Sequence, residues 1–276
     1  MADTSYSVQY RDEFIAGFEQ GMSQLSTAVT NDAQTKGNQA VFDIVDSGGA
    51  SAVTRGVNGL IPARADNETQ VPITLQEWHD KPRKTGFNMF ASQGDGRAKM
   101  QMSTRKVMNR KIDDDIIAAL NLATNSGTGG AATLALVQNL VAKLGRQDVD
   151  VDDDTNMFAL ATLAFRAELY QIKEFNSHDW VEDKPLVGPV RKVLRWNGIN
   201  WIFSNRLPGA GTANEKCFIY HRAAVGHVAN MTEAKIVAGY NEEDDYSFAR
   251  SSIFMGSAVL QNKGILSFPH DGSAIG

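Results

Sequence analysis

The sequence predicts an α+β fold, and three observations carry that expectation. Between Arg97 and Thr124, Met108, Ile112, Ile116, Ala119 and Ala123 recur at three- and four-residue spacing with no Pro or Gly, which makes one long amphipathic helix. Ahead of it, in 38–46 and 69–78, the residues read as strands, with Val71, Ile73 and Leu75 alternating with polar ones. Behind it, strand-like and helix-like segments alternate before the chain ends in further strands.

The 276 residues, 42% apolar and 21% charged, suffice for a substantial core in one composite domain or two. A net charge of −5 makes the whole chain a poor general polyanion binder, although a local patch could still touch nucleic acid. The single Cys217 allows no intrachain disulfide and fits a reducing compartment. The first residues show no basic region followed by an apolar core, and no stretch approaches the ~18 apolar residues of a membrane span. A soluble chain made in the cytosol is expected, without membrane partners.

In chain order, Tyr10, Phe14, Phe18, Met22, Leu25 and Val29 predict a first amphipathic helix over Tyr10–Val29. The segments NQAVFDIVD and TQVPITLQEW read as two strands of a hairpin. Between them lie about twenty residues with four glycines and no period, longer than the ~12–15 residues of an ordinary loop. A projecting hairpin tip and a disordered surface loop both fit.

From Lys81 to Lys111 there are nine Lys or Arg and a single acid, Asp95. Such a run is usually a solvated helix face, and it is also the only candidate patch for phosphate contacts. Along the long helix the cations come first and Asp113, Asp114 and Asp115 later, the reverse of what the helix dipole favours, so the helix is expected to need partners.

NSGTGGAA then connects to a helix over LALVQNLVAKLG, and DVDVDDDTN reads as a solvated loop. It resembles the start of a calcium loop but has Asp153 where Gly is needed and Ala159 where the bidentate Glu belongs. MFALAT is a buried strand, LAFRAELYQIKEF a helix, and PVRKVLRWNGINWIFSNRLP two strands about an Asn197-Gly198 turn. EKCFIYHRAAVGHVAN reads as a strand leading into a helix. AKIVAGY, YSFARSSIFMGSAVL and GILSFPH read as strands, the first two parted by the acidic turn NEEDD, and DGSAIG as a fraying tail.

Chemistry is sparse. The five histidines form no metal-ligand spacing, Cys217 and His221 lie four apart in a strand-like segment, and no nucleophile-elbow, phosphate-loop or dinucleotide fingerprint occurs. No catalytic residue, metal ligand or cofactor is expected.

The order of elements resembles the major capsid proteins of tailed double-stranded DNA phages, with their Hong Kong ninety-seven fold. RKIDDDIIAAL looks like the end of that family's spine helix, and VGPVRKVLRWNGINWIFSNRLP like its glycine, hairpin and S-N-x-L-P segment. CFIYHRAAVGHV resembles the strand and helix that follow, and GSAVLQNKGILSF the C-terminal strands. The collinear order across nearly the whole chain carries the resemblance.

It implies an N-terminal arm (1–37), an extended β-hairpin loop (38–80), a peripheral domain with the spine helix (81–130), a mixed α/β axial domain (131–230), peripheral return strands (231–250), and C-terminal strands and tail (251–276). It also implies a structural virion subunit, assembled in the host cytoplasm into hexamers and pentamers of an icosahedral shell around packaged double-stranded DNA. A portal and, in some cases, decoration or separate scaffolding proteins would be partners. An encapsulin-like shell, or a nucleic-acid-binding module using 81–111, are the alternatives.

Residues 47–69 would lie across a neighbouring subunit. Arg55, Arg64 and the basic run, with Arg83, Lys84, Arg105 and Arg110, would meet acidic groups on neighbours, with Asp113, Asp152, Glu242 and Glu243 as candidates. Some relatives harden through a lysine on the long loop. None occurs here between Lys36 and Lys81, so no such cross-link is expected.

Overall fold

The computed structural model describes residues 22–32, 37–47, 49–64, 68–91, 95–176 and 193–273. Before the long helix come β1 (Thr30–Asp32), β2 (Gln39–Val45), β3 (Glu68–Thr74), β4 (Gln76–Asp80), β5 (Arg83–Thr85) and a short helix α1 (Gly86–Ala91). The long helix is α2 (Gly96–Asn121). It is followed by α3 (Leu134–Gly145), β6 (Met157–Ala161), α4 (Leu163–Leu169), α5 (Lys173–Asn176), β7 (Val193–Trp196), β8 (Ile199–Phe203) and β9 (Glu215–His221). The chain closes with β10 (Val225–Asn241), β11 (Tyr246–Val259) and β12 (Ile265–His270).

Asp95 starts α2 by accepting the amide N–H groups of Arg97 at 3.0 Å and Ala98 at 3.1 Å, donors that a helix's first turn leaves without partners. At ~1.5 Å per residue the helix is about 39 Å long. Met100, Thr104, Met108, Ile112, Ile116 and Ala119 form its buried stripe, which packs mainly on β11. The expected apolar face is therefore present and begins earlier, at Met100 and Thr104, while Ala123 lies just past the helix end and is still buried.

One sheet has the order β1-β10-β11-β4, with β5 also paired to β11, and β1 runs parallel to β10. The second has the order β12-β9-β6-β8-β7, in which β6 and β8 are parallel. Phe165, Trp201, Phe218, Tyr220 and Phe268 fill its core, with Phe165 stacked on Trp201 at 5.8 Å between ring centroids. Asn197 and Gly198 both take positive φ, 53° and 71°, as the two-residue turn between β7 and β8 requires.

β2 and β3 pair antiparallel from Gln39↔Thr74 to Val45↔Glu68. A two-stranded ribbon is marginal alone. This one is anchored at its base, where Ala40 and Ile73 are buried with Val228 among Phe42, Leu75, Ala258 and Leu260.

Four sequence expectations change. Most of the first expected helix lies outside the described residues, and its last part, 22–29, is a series of turns. There the N–H groups of Gln24 and Leu25 bond the Asp113 carboxylate and Ala28 N–H closes a turn onto Leu25 O, so the apolar spacing of Leu25 and Val29 reports burial without a helix. LAFRAELYQIKEF breaks into α4 and α5. The expected helix after β9 is one 3₁₀ turn, Arg222–Ala224, followed by β10. At Gly226 the strand crosses the hairpin base so closely that an added Cβ would come within 3.0 Å of Leu260 and 3.2 Å of Ile73, so sheet pairing prevails over the helical spacing of HRAAVGHVAN. Finally, the tail is held as far as Gly272, whose N–H bonds Thr212 O at 3.0 Å. The expected boundary at 230/231 falls within β10, that at 250/251 within β11, and β12 belongs to the second sheet.

Candidate subunit-assembly surface

Consecutive helical residues point about 100° apart, and the three aspartates of α2 accordingly serve three places. The Asp113 side chain is buried and accepts hydrogen bonds from Ser23 Oγ at 2.6 Å and from the N–H groups of Gln24 and Leu25 at 3.1 Å each. Asp114 faces Arg206 in a bidentate pair with the Nε contact at 2.7 Å. Asp115 accepts Ser257 Oγ–H at 2.6 Å, and Ser257 Oγ is 2.8 Å from His227 Nδ1. Because the Ser257 proton goes to Asp115, the His227 Nδ1–H is the donor to Ser257. Burial holds the pKa of His227 below its usual value although Asp115 and Asp113 pull it up.

Thus the acidic half of the helix binds its own subunit. Asp113, expected at an inter-subunit contact, is turned inward because the chain at residues 23–25 needs an acceptor for its open amides.

Much of the basic run is also used within the chain. Lys111 Nζ lies 3.6 Å from the Trp78 ring centroid, Lys81 Nζ 4.6 Å from that of Phe248, and the Arg83 guanidinium 5.6 Å from that of Tyr246. Lys84 is half-buried opposite Ser247 in the β5–β11 pairing. Arg105 is exposed on α2 and Arg110 half-buried.

The acidic turn after β10 stands beside this region. Gly86 N–H bonds Asp245 O at 3.1 Å, Tyr240 O–H donates to Asp245 Oδ1 at 2.5 Å, and the Asn241 side chain accepts Glu243 N–H at 2.9 Å. Glu242 and Glu243 remain exposed. So the structure brings 83–84 and 241–246 together inside one subunit.

Asp152 is exposed in the other acidic loop, with its N–H turned onto the Asp150 carboxylate at 3.2 Å. Arg55 and Arg64 are exposed on the hairpin loop and form no ion pair among the described residues.

What the sequence reading left out is apolar. Val53, Val57, Leu60 and Ile61 on the loop are 63%, 106%, 73% and 70% exposed, and Phe87 and Phe90 on α1 are 76% and 88% exposed. The signal was present as large apolar residues in segments without a core-facing period. Unpartnered surface of this kind marks interaction sites.

The second sheet contains a buried polar chain. Glu215 Oε2 accepts Thr162 Oγ–H at 2.5 Å and lies 2.8 Å from His270 Nδ1, while His270 Nε2 lies 3.2 Å from Glu168 Oε2. Burial raises the pKa of Glu215, but hydrogen bonds from Thr162, His270 and Gly211 N–H outweigh it and hold the carboxyl below its usual range. Glu168 in turn accepts Ala132 N–H at 2.6 Å. These groups join the ends of β9 and β12 to α4. Burial pushes the Cys217 thiol up to about 12, so it is no nucleophile at neutral pH. No group of His, Cys, Asp or Glu among the described residues is arranged to hold a metal ion.

A family model described as phage capsid protein matches residues 2–271. Among solved structures, a Mycobacterium phage Che8 chain superposes with a TM-score of 0.72 at 17% identity, over 97% of this chain and 98% of that one. The capsid of cyanophage P-SCSP1u gives 0.71 at 16% identity, over 96% and 93%. The capsid of Ralstonia phage GP4 gives 0.70 at 10% identity, over 98% and 96%. No curated protein sequence matches the chain.

Proposed function

Since this chain belongs to the phage capsid protein family, we propose that it tiles its shell as rings of five and six copies around packaged double-stranded DNA, each copy laying residues 47–69 over a neighbour. It is a structural, non-enzymatic component of the virion shell and assembles with itself. The observation that carries the finer reading is the loop between β2 and β3, where every described residue from Gly49 to Arg64 is exposed and four large apolar side chains have no cover in their own subunit. An isolated monomer gains nothing from that exposure, whereas a repeated contact would bury it around each ring.

The basic segment 81–111 gives less support to a nucleic-acid-binding module, because Lys81, Arg83 and Lys111 lie over aromatic rings of the same chain.

Particles recovered from phage-producing cells and treated with nuclease test the reading. Protected double-stranded DNA of uniform length is expected. Particles that hold protein and no DNA would contradict it and favour an encapsulin-like shell.

A further inference from the structure

We propose that Asn58, which precedes Gly59 at the tip of the hairpin loop, is a self-modification site whose side-chain amide is lost to give aspartate and isoaspartate. The inference goes beyond the capsid reading and does not depend on it.

The chemistry is intramolecular. The main-chain nitrogen of Gly59, once its proton has gone to water or hydroxide, attacks Asn58 Cγ. A Cγ–N bond forms, the Cγ–Nδ2 bond breaks, and Nδ2 leaves as ammonia, taking up a proton. Water then opens the cyclic imide: cleavage at Cγ gives aspartate, and cleavage at the main-chain carbonyl gives isoaspartate. One water is consumed, one ammonia is released, and nothing is oxidised or reduced. A side chain on the following residue would crowd the attacking nitrogen, and glycine has none.

Two Asn-Gly pairs occur in the sequence, at 58–59 and 197–198, and the structure separates them. Asn197 and Gly198 are locked between paired strands: Trp196 faces Ile199 across the ladder, both are buried, and both turn residues hold positive φ. Closing the imide there would turn the 197–198 peptide plane and break the β7–β8 pairing. At the loop tip nothing comparable resists. Asn58 and Gly59 are exposed, a Cβ on Gly59 would meet nothing within 4 Å, and the Asn58 carboxamide has no hydrogen-bond partner among the described residues.

Two main-chain bonds shape the turn, Gly59 N–H to Gly56 O at 2.8 Å and Gly56 N–H to Leu60 O at 3.0 Å. The first must open before Gly59 can lose its proton, and water can replace it because both residues are exposed. Asn125, before Ser126, shows the opposite case: its Nδ2 is held by Gln147 Oε1 at 3.1 Å and by Asn262 O at 2.7 Å.

The product alters the loop. Residues 53–64 contain Arg55 and Arg64 and no acid, a formal charge of +2 that the conversion lowers to +1. Isoaspartate also lengthens the main chain by one methylene inside the Gly56–Leu60 turn.

Ageing of the purified full-length chain at mildly alkaline pH, below the concentration at which it assembles, tests the proposal. Digestion after arginine then releases peptides 56–64 and 196–206, which report the two pairs separately. Peptide 56–64 should gain the mass of an NH-to-O exchange and split into aspartate and isoaspartate forms. Its conversion should be at least about tenfold faster than that of peptide 196–206, since opening costs run from near zero in exposed loops to the full stability in packed strands. Asn58→Gln should abolish the gain, and a synthetic 56–64 peptide sets the unrestrained rate. A rate for Asn58 in the folded chain no faster than that for Asn197, or a 56–64 segment still intact when the synthetic peptide has converted, would overturn the assignment.

Discussion

Ser23 donates its hydroxyl proton to the Asp113 carboxylate at 2.6 Å, joining two positions 90 residues apart in the chain. With the N–H groups of Gln24 and Leu25 on the same carboxylate, this contact fixes residues 23–25 on the long helix. A buried carboxylate with several donors cannot be removed without leaving those donors unsatisfied.

Asp113→Ala is therefore expected to destabilise the subunit by about 2–4 kcal/mol. Urea unfolding of the unassembled chain would measure the change, and limited proteolysis near residues 20–25 should become faster. A loss under half a kilocalorie (about 0.5 kcal/mol) would show that residues 23–29 are held by their apolar contacts alone.

The adjacent Asp114 offers a control. Its pair with Arg206 is bidentate, but both side chains are 36% exposed, and such pairs are worth ~0–1 kcal/mol. Asp114→Asn should cost less than ~1 kcal/mol, with the loss shrinking in high salt. Equal effects at 113 and 114 would contradict the assignment of one as buried anchor and the other as surface pair.

His227 predicts sensitivity to mild acid. Its folded pKa lies below the unfolded value of ~6.5, so the unfolded chain binds the extra proton first. Stability is fully present above ~6.5 and falls as the pH drops through the folded pKa. His227→Gln should flatten the unfolding free energy below about pH 6.5, while an unchanged slope would place the titration elsewhere.

Glu215 acts lower on the scale. Its folded pKa is depressed, so its contribution is present above the unfolded value of ~4.3 and is lost as the pH falls through the folded pKa. Glu215→Gln should reduce stability at neutral pH and weaken its pH dependence below about 4.3. Near-ultraviolet circular dichroism of the buried Trp201 environment would follow the second sheet directly.

Much of this fold was legible in the sequence. The stripe from Met108 to Ala119, the Asn197-Gly198 turn and the alternation in β2 and β3 all report local periods that the structure keeps. The errors share a cause. At 22–29 and at 222–230, short apolar spacing suggested helices, but Asp113 and the hairpin base impose turns and strand from elsewhere in the chain.

The charges were harder to assign than the elements. Acid and base could be counted along the chain, yet whether Asp113 faces solvent depends on residues 23–25, and whether Lys111 is free depends on Trp78. The exposed apolar groups of the loop and of α1 were visible as residues but not as surface, because exposure is a property of the packed chain.

Sedimentation of the purified chain across a range of concentrations, with imaging of the fast-moving fraction, tests the central claim most directly. Closed, uniform shells or rings of five and six subunits are predicted. A monomer that persists at every concentration, with or without crowding agents, would contradict self-assembly through the exposed loop.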